Sequence, residues 1–174
     1  MKQILVVAIT LIAPFISLGQ EIRTTTHFGF SSILKENYNQ SVNPVVFVGI
    51  EFGEKFGIEY GNSFHISKDL FNVEYFVNGT SQKHYVGSTA DFYSIYLMTK
   101  IEDGARFNLG LGFADLKDYS LVNPQNPTTK IQKSFVPFVK TSLNNKVSNR
   151  INWTLNANLS LDVFSFTTGV SYKF

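Results

Sequence analysis

The sequence contains no cysteine, so it can form no disulfide and offers no lipidation site for a lipoprotein signal. Charge is scarce: Asp, Glu, Lys and Arg make up 16% of the 174 residues, well below the ~25% of an ordinary soluble domain. Neither sign dominates, since 15 basic residues against 13 acidic ones leave +2, and this balance gives no footprint of a nucleic-acid partner. Past the first 20 residues no apolar run reaches the ~20 residues that a membrane-crossing helix requires. There is no Cys/His metal cluster, no glycine loop for phosphate and no nucleophile elbow. The three histidines, His27, His65 and His84, have none of the clustered partners that a metal ion needs. No cofactor and no metal is therefore expected. Fixed-period repeats and low-complexity segments are absent too.

Aromatic residues, by contrast, are plentiful: 15% of the chain, with 17 Phe and 8 Tyr, concentrated where the pattern alternates. The last segment is the clearest. Phe164, Phe166, Thr168, Val170, Tyr172 and Phe174 share one face, while Ser165, Thr167, Gly169, Ser171 and Lys173 share the other. Period-two alternation over that length marks a strand. The final residue is an aromatic, although chain ends are usually polar and frayed.

At the other end, Lys2 precedes an apolar stretch from Ile4 to Ile16, and Ser17 and Gly19 stand at small-residue cleavage positions. This is the pattern of a secretory signal peptide over residues 1–19. The stretch is too short for a membrane span and holds Pro14. Residues 20–174 then form one domain, exported and cleaved near Gly19.

Eight strands are predicted: about Ile22 to Phe30, Val45 to Gly53, Lys55 to Ile66, Asp91 to Ile101, Ala105 to Ala114, Ser134 to Leu143, Arg150 to Ser160, and Phe164 to Phe174. Their lengths suit the ~9–11 residues of a tilted membrane strand. Short turns at 53–55, 102–104 and 144–149 alternate with long segments at 31–44, 67–90 and 115–133, as in transmembrane barrels. A short connection near Leu161 breaks the rule. Within 67–90, Asn78-Gly79 predicts an extramembrane hairpin; the alternative is two more membrane strands, making ten. Pro137 should force a bulge or a loss of pairing, because a closed barrel has no edge to hide its missing N–H, unless its strand begins later.

Alternation alone does not separate a membrane barrel from a soluble one such as a lipocalin. Three features favour polar-in, apolar-out. The apolar faces, such as Phe107, Leu109, Leu111 and Phe113, carry no charge. Seven of the 12 glycines, Gly29, Gly49, Gly57, Gly61, Gly110, Gly112 and Gly169, fall on polar faces, where a narrow lumen needs small residues. Asn152, Thr154, Asn156, Asn158 and Ser160 form an uncharged polar face that suits a hydrogen-bonded interior better than a solvated surface. Trp153, Tyr60, Tyr93, Tyr172 and Phe174 are candidates for interfacial aromatic girdles.

The signal peptide, eight strands, loop alternation and Gly169-Val-Ser-Tyr-Lys-Phe174 ending together resemble the small porin-family outer-membrane barrels of the OmpA/OmpX type. Phe92 to Lys100 followed by Asn108-Leu-Gly-Leu-Gly-Phe113 is similar to a recurring mid-barrel hairpin of that group. The resemblance implies an all-β, eight-stranded, up-and-down antiparallel transmembrane barrel in the bacterial outer membrane. It also implies an assembly signal at Val170, Tyr172 and Phe174, read by the barrel assembly machinery. The family includes adhesins, structural barrels and a few lipid-modifying enzymes, so it implies architecture rather than activity.

Inward-pointing ionisable residues, Arg23, Glu51, Glu59, Lys100, Arg106, Arg150 and Lys173, form a candidate lumen charge cluster: either a static satisfied interior or a gate in which a glutamate exchanges partners. Phe64-His65-Ile66-Ser67 is only a poor match to a lipid A deacylase site, with Lys68 where that family has Asn. The long loops, with Tyr75, Phe76 and Tyr85, could capture partner strands. The expected role is a monomeric, non-enzymatic structural or adhesin-like barrel in contact with outer-membrane lipid and an extracellular ligand. The alternatives are a narrow or gated pore and, further off, a lipid-modifying enzyme or an exported soluble β protein.

Overall fold

The computed structural model describes residues 21–38, 40–53, 55–64, 72–77, 79–102, 104–122 and 128–174. The strands are β1 (Ile22–Ile33), β2 (Ser41–Phe52), β3 (Phe56–Ser63), β4 (Asn72–Val77), β5 (Thr80–Tyr85), β6 (Gly87–Glu102), β7 (Ala105–Val122), β8 (Thr128–Lys146), β9 (Ile151–Leu159) and β10 (Val163–Lys173). Eight of them close an antiparallel up-and-down barrel in the order β1-β10-β9-β8-β7-β6-β3-β2, and β4 and β5 form a separate two-stranded sheet. The ten-stranded alternative is excluded. The signal-peptide stretch, together with His65, Ile66 and Ser67, lies outside the described residues.

Two of the long connections are shorter than the sequence suggested, because strands continue into them; the third is not, since β3 already ends at Ser63. β1 runs on to Ile33 and β2 starts at Ser41; β7 reaches Val122 and β8 starts at Thr128. The β7–β8 ladder holds register from Val122↔Thr128 down to Ala105↔Asn145, so residues expected in a loop at 115–133 are mostly ladder. Backbone groups there satisfy one another. β10 likewise begins one residue early, at Val163.

Pro137 causes neither a bulge nor a loss of pairing, and β8 begins before it, not after. The Phe113↔Pro137 step is in register with its neighbours. Lys146 bonds toward β7, through Gly104; Pro137, nine positions away, must face β9 by strand alternation. Pairing with β9 starts only at Val139↔Leu159, so the missing N–H points past the end of that strand. Pro44 uses the same device: its carbonyl accepts from Phe64 N at 3.0 Å, just above the first β2–β3 pair, Val45↔Ser63.

Toward the short turns the wall is mostly polar on the inside and apolar on the outside. Asn152, Thr154, Asn156 and Asn158 of β9 are all buried, while Trp153 and Leu159 are exposed. Nearer the long loops the interior turns apolar: Ile33, Val45, Phe47, Phe92, Ala114, Leu116, Val136, Phe138 and Val163 pack together, with Tyr38 from the β1–β2 connection closing the top. Polar-in is therefore a property of part of the lumen, not all of it.

Candidate functional site: the filled lumen and its two rims

The lumen is layered. Next to the short turns, Glu51 is 1% exposed and receives long contacts from Tyr96 Oη (3.4 Å) and Ser171 Oγ (3.5 Å). One layer up, Lys140 on β8 reaches across the barrel to Glu59 on β3. Its Nζ donates to Glu59 Oε1 at 2.5 Å and to Asn156 Oδ1 at 2.8 Å, and Asn156 Nδ2 donates to the same Oε1 at 3.3 Å. His27 Nε2 stands 3.4 Å from Glu59 Oε2. The ammonium also lies 5.0 Å from the Tyr96 ring centre and 5.9 Å from that of Phe47, near enough for cation–π attraction. Above this network sit the rings, Phe47–Phe92 at 5.3 Å and Phe92–Phe138 at 5.8 Å.

Glycine makes room for those rings. A Cβ on Gly61 would stand 2.2 Å from the Phe47 ring, and one on Gly112 would stand 2.4 Å from the Phe138 ring. Both closures, ionic and aromatic, span an eight-stranded barrel that side chains can just fill. A concavity of about 810 Å³ lies along β1, β2, β3, β6 and β7, lined mostly by outward side chains such as Val48, Ile58, Tyr93 and Leu111.

The outer surface has a sharp upper boundary. Tyr60, Tyr93, Phe113 and Phe135 form a continuous arc across β3, β6, β7 and β8, with successive ring centres 5.2, 5.0 and 6.0 Å apart. Immediately above it Asp91 accepts from Tyr60 Oη at 2.9 Å, Asn62 Nδ2 at 2.6 Å and Lys117 Nζ at 2.6 Å. Burial opposes ionisation of Asp91, but these donors outweigh it and hold its carboxyl below the ordinary range. The same hydrogen bond pushes the Lys117 ammonium up. At the opposite end Tyr172 and Phe174 meet edge to face at 5.3 Å, and Lys173 pairs with Glu21.

No protein-family model matches the chain, and no curated protein matches it in sequence. Solved structures do match. Ail, the attachment invasion locus protein of Yersinia pestis, solved with the heparin analogue sucrose octasulfate, superposes with a TM-score of 0.52 at 12% identity, covering 89% of this chain and 99% of Ail. The N-terminal β-barrel domain of Pseudomonas aeruginosa OprF gives 0.52 at 10% identity, covering 89% and 99%. A de novo designed transmembrane β-barrel gives 0.51 at 10%, covering 88% and 95%. This chain has the fold of the small outer-membrane β-barrels. At such identities the likeness is one of architecture.

Within this barrel the ionisable residues singled out in the sequence do not form one cluster. Arg23, Glu51 and Glu59 are buried in the lumen. Arg106 is half-buried and Lys100 exposed, and both line the short-turn mouth together with Arg23 and Lys173. Arg150 does not point inward at all: it is exposed in the 147–150 turn, where its carbonyl accepts from Lys173 N. Lys140, the cation that does cross the lumen, escaped the sequence reading. Phe135 to Val139 is apolar on both faces, which blurs the alternation around it. The signal that could have found it is Lys140-Ser142-Asn144, a polar series running down to the turn.

Proposed function

We propose that this protein is a non-enzymatic barrel of the bacterial outer membrane that works through its long-loop surface rather than through its lumen. The exposed apolar wall, bounded by the aromatic arc above and by Tyr172 and Phe174 below, supports membrane residence; its span on β6, from Tyr93 to Ile101, fits the ~9–11 residues of a tilted strand. The secretory pattern of residues 1–19 supports export, with the short turns of the barrel facing the periplasm.

The observation that carries the functional reading is the combination of a filled lumen with a β4–β5 hairpin paired to nothing but itself. The hairpin runs from Asn72↔Tyr85 to Val77↔Thr80 and turns at Gly79, whose φ is 77°. Both of its outer edges lack a strand partner among the described residues. Unpaired N–H and C=O groups recruit another extended chain. An adhesin-like role would parallel Ail, the attachment invasion locus protein, to which the likeness is one of fold only. Deleting residues 72–85 in cells displaying the barrel should abolish binding to host-cell or matrix surfaces while the heat-modifiable gel band persists; unchanged binding would overturn the reading.

A further inference from the structure

β8 outruns the strand beside it. It pairs with β7 from Val122↔Thr128 to Ala105↔Asn145, but with β9 only from Val139↔Leu159 downward. β9 ends at Leu159 and β10 starts at Val163, so β8 from Thr128 to Phe138 stands as an open sheet edge. By the alternation that turns Pro137 away from β7, the other odd-numbered residues turn the same way. The N–H and C=O groups of Thr129, Ile131, Lys133 and Phe135 therefore point to the open side, and no described backbone group bonds to them there. Residues 129–135 span roughly 23 Å. Phe135 belongs to the aromatic arc, so the edge from Lys133 onward rises above the membrane band.

The side chains of this edge have a pattern of their own. On its outward face Ile131 and Phe135 are 53% and 70% exposed, and Lys133 stands exposed between them. Lys133 makes no ion pair with a described residue. Its neighbour across the ladder is another cation, Lys117. The carboxylates nearby are already engaged: Asp91 and Asp115 with Lys117, and buried Asp118 with Ser88 Oγ at 2.6 Å. The described part of the sheet therefore gives Lys133 no counter-ion. Lysine and proline are residues that keep open edges from indiscriminate pairing; here Lys133 repels a basic strand and admits an acidic one.

We propose that the open edge of β8 docks an extended segment of another protein, added as an antiparallel strand, with a carboxylate opposite Lys133 and apolar side chains opposite Ile131 and Phe135. The ladder supplies the attachment and the three outward side chains supply the selection. Pro137, which has no N–H to offer, marks the lower limit of the docked strand. A second copy in the same membrane is not the occupant, because its β8 points the same way and cannot pair antiparallel. The inference rests on the reading of the long-loop surface as the working one, but places the partner on a different edge from the β4–β5 hairpin.

The test titrates the refolded, heat-modifiable barrel into a fluorescein-labelled peptide with blocked ends, Thr-Val-Thr-Glu-Thr-Val-Thr, and follows fluorescence anisotropy. Saturable binding is expected, at least tenfold weaker for the same peptide with Lys in place of Glu. Ile131→Pro removes an N–H that faces the open side and leaves the β7 ladder intact, as Pro137 does; it should weaken binding at least tenfold while the gel band still shifts on heating. Lys133→Glu should reverse the preference between the two peptides. Deleting residues 72–85 should leave peptide binding unchanged, which separates this edge from the hairpin. No saturable binding, binding indifferent to I131P, or binding lost with the hairpin would overturn the proposal.

Discussion

Lys140 and Glu59 are each fully enclosed, and their value lies in being together. Removing one partner strands the other charge in the lumen, which costs ~3–5 kcal/mol, whereas replacing both by apolar groups of similar volume is often close to neutral. Lys140→Met should therefore lower the urea midpoint of the refolded barrel sharply, and the K140M/E59L double variant should recover most of the loss. Equal losses in single and double variants would mean that Asn156 and His27, not the pair, carry the stabilisation. The glycines make a second prediction. Gly61→Ala drives a methyl group into the Phe47 ring, so it should destabilise by ~1–3 kcal/mol, the usual cost of overpacking. Phe47→Leu in the same chain should relieve it, as tryptophan-fluorescence unfolding in lipid vesicles would show. Several glycines on inward faces were legible in the sequence; the rings they make room for were not. Val48 was legible as outward, in phase with Val46 and Ile50 and out of phase with Gly49 and Glu51, which leaves Phe47 inward; that its ring lies against Gly61 of the neighbouring strand was not.

At the level of elements, the outer rim sets the height of the membrane band. Asp91 and Asp115 are directly opposed in the β6–β7 ladder, an arrangement that repels. Lys117 relieves it, 2.6 Å from Asp91 and 3.9 Å from Asp115. Asp91 is held below its ordinary pKa, so its contribution is present above ~4 and is lost as pH falls through its lowered folded value. Lys117 is held above its ordinary pKa, so its contribution is complete below ~10.4 and is lost as pH rises through its raised value. The pair, half-buried at the rim, should add ~1 kcal/mol or less between those limits. Asp91→Asn should lower stability at pH 7 and flatten its dependence at the acid end; a variant curve parallel to the wild type would remove this pair from the account. Strand number and order of the barrel were readable from alternation, turn chemistry and loop lengths. Strand ends were not. β7 and β8 continue past the rim with outward residues such as Asp115, Lys117 and Lys133, whose polarity reads as loop, because there water replaces lipid on the outer face. Pro137 misled for a related reason: whether its missing N–H matters depends on where the neighbouring strand stops, and that length is invisible in the proline's own strand.

For the whole molecule, the decisive quantity is whether anything passes through it. Two closures lie in series: the Glu59–Lys140–Asn156 bridge, and above it the Phe47, Phe92 and Phe138 rings under Tyr38. An ion crossing the first must break hydrogen bonds to a buried pair, and one crossing the second must shed water among rings that offer no replacement ligands. Planar-bilayer recordings of folded, heat-modifiable protein should accordingly be silent. Phe92→Ala with Phe138→Ala opens the apolar layer alone and should remain silent, since the ionic bridge still spans the bore. Adding Glu59→Ala removes both and should produce discrete steps, with the unpaired Lys140 favouring anions. Steps in the wild type that vanish when Glu51 or Glu59 is neutralised would instead make the bridge a working gate, and would move the protein's function from its loops into its lumen.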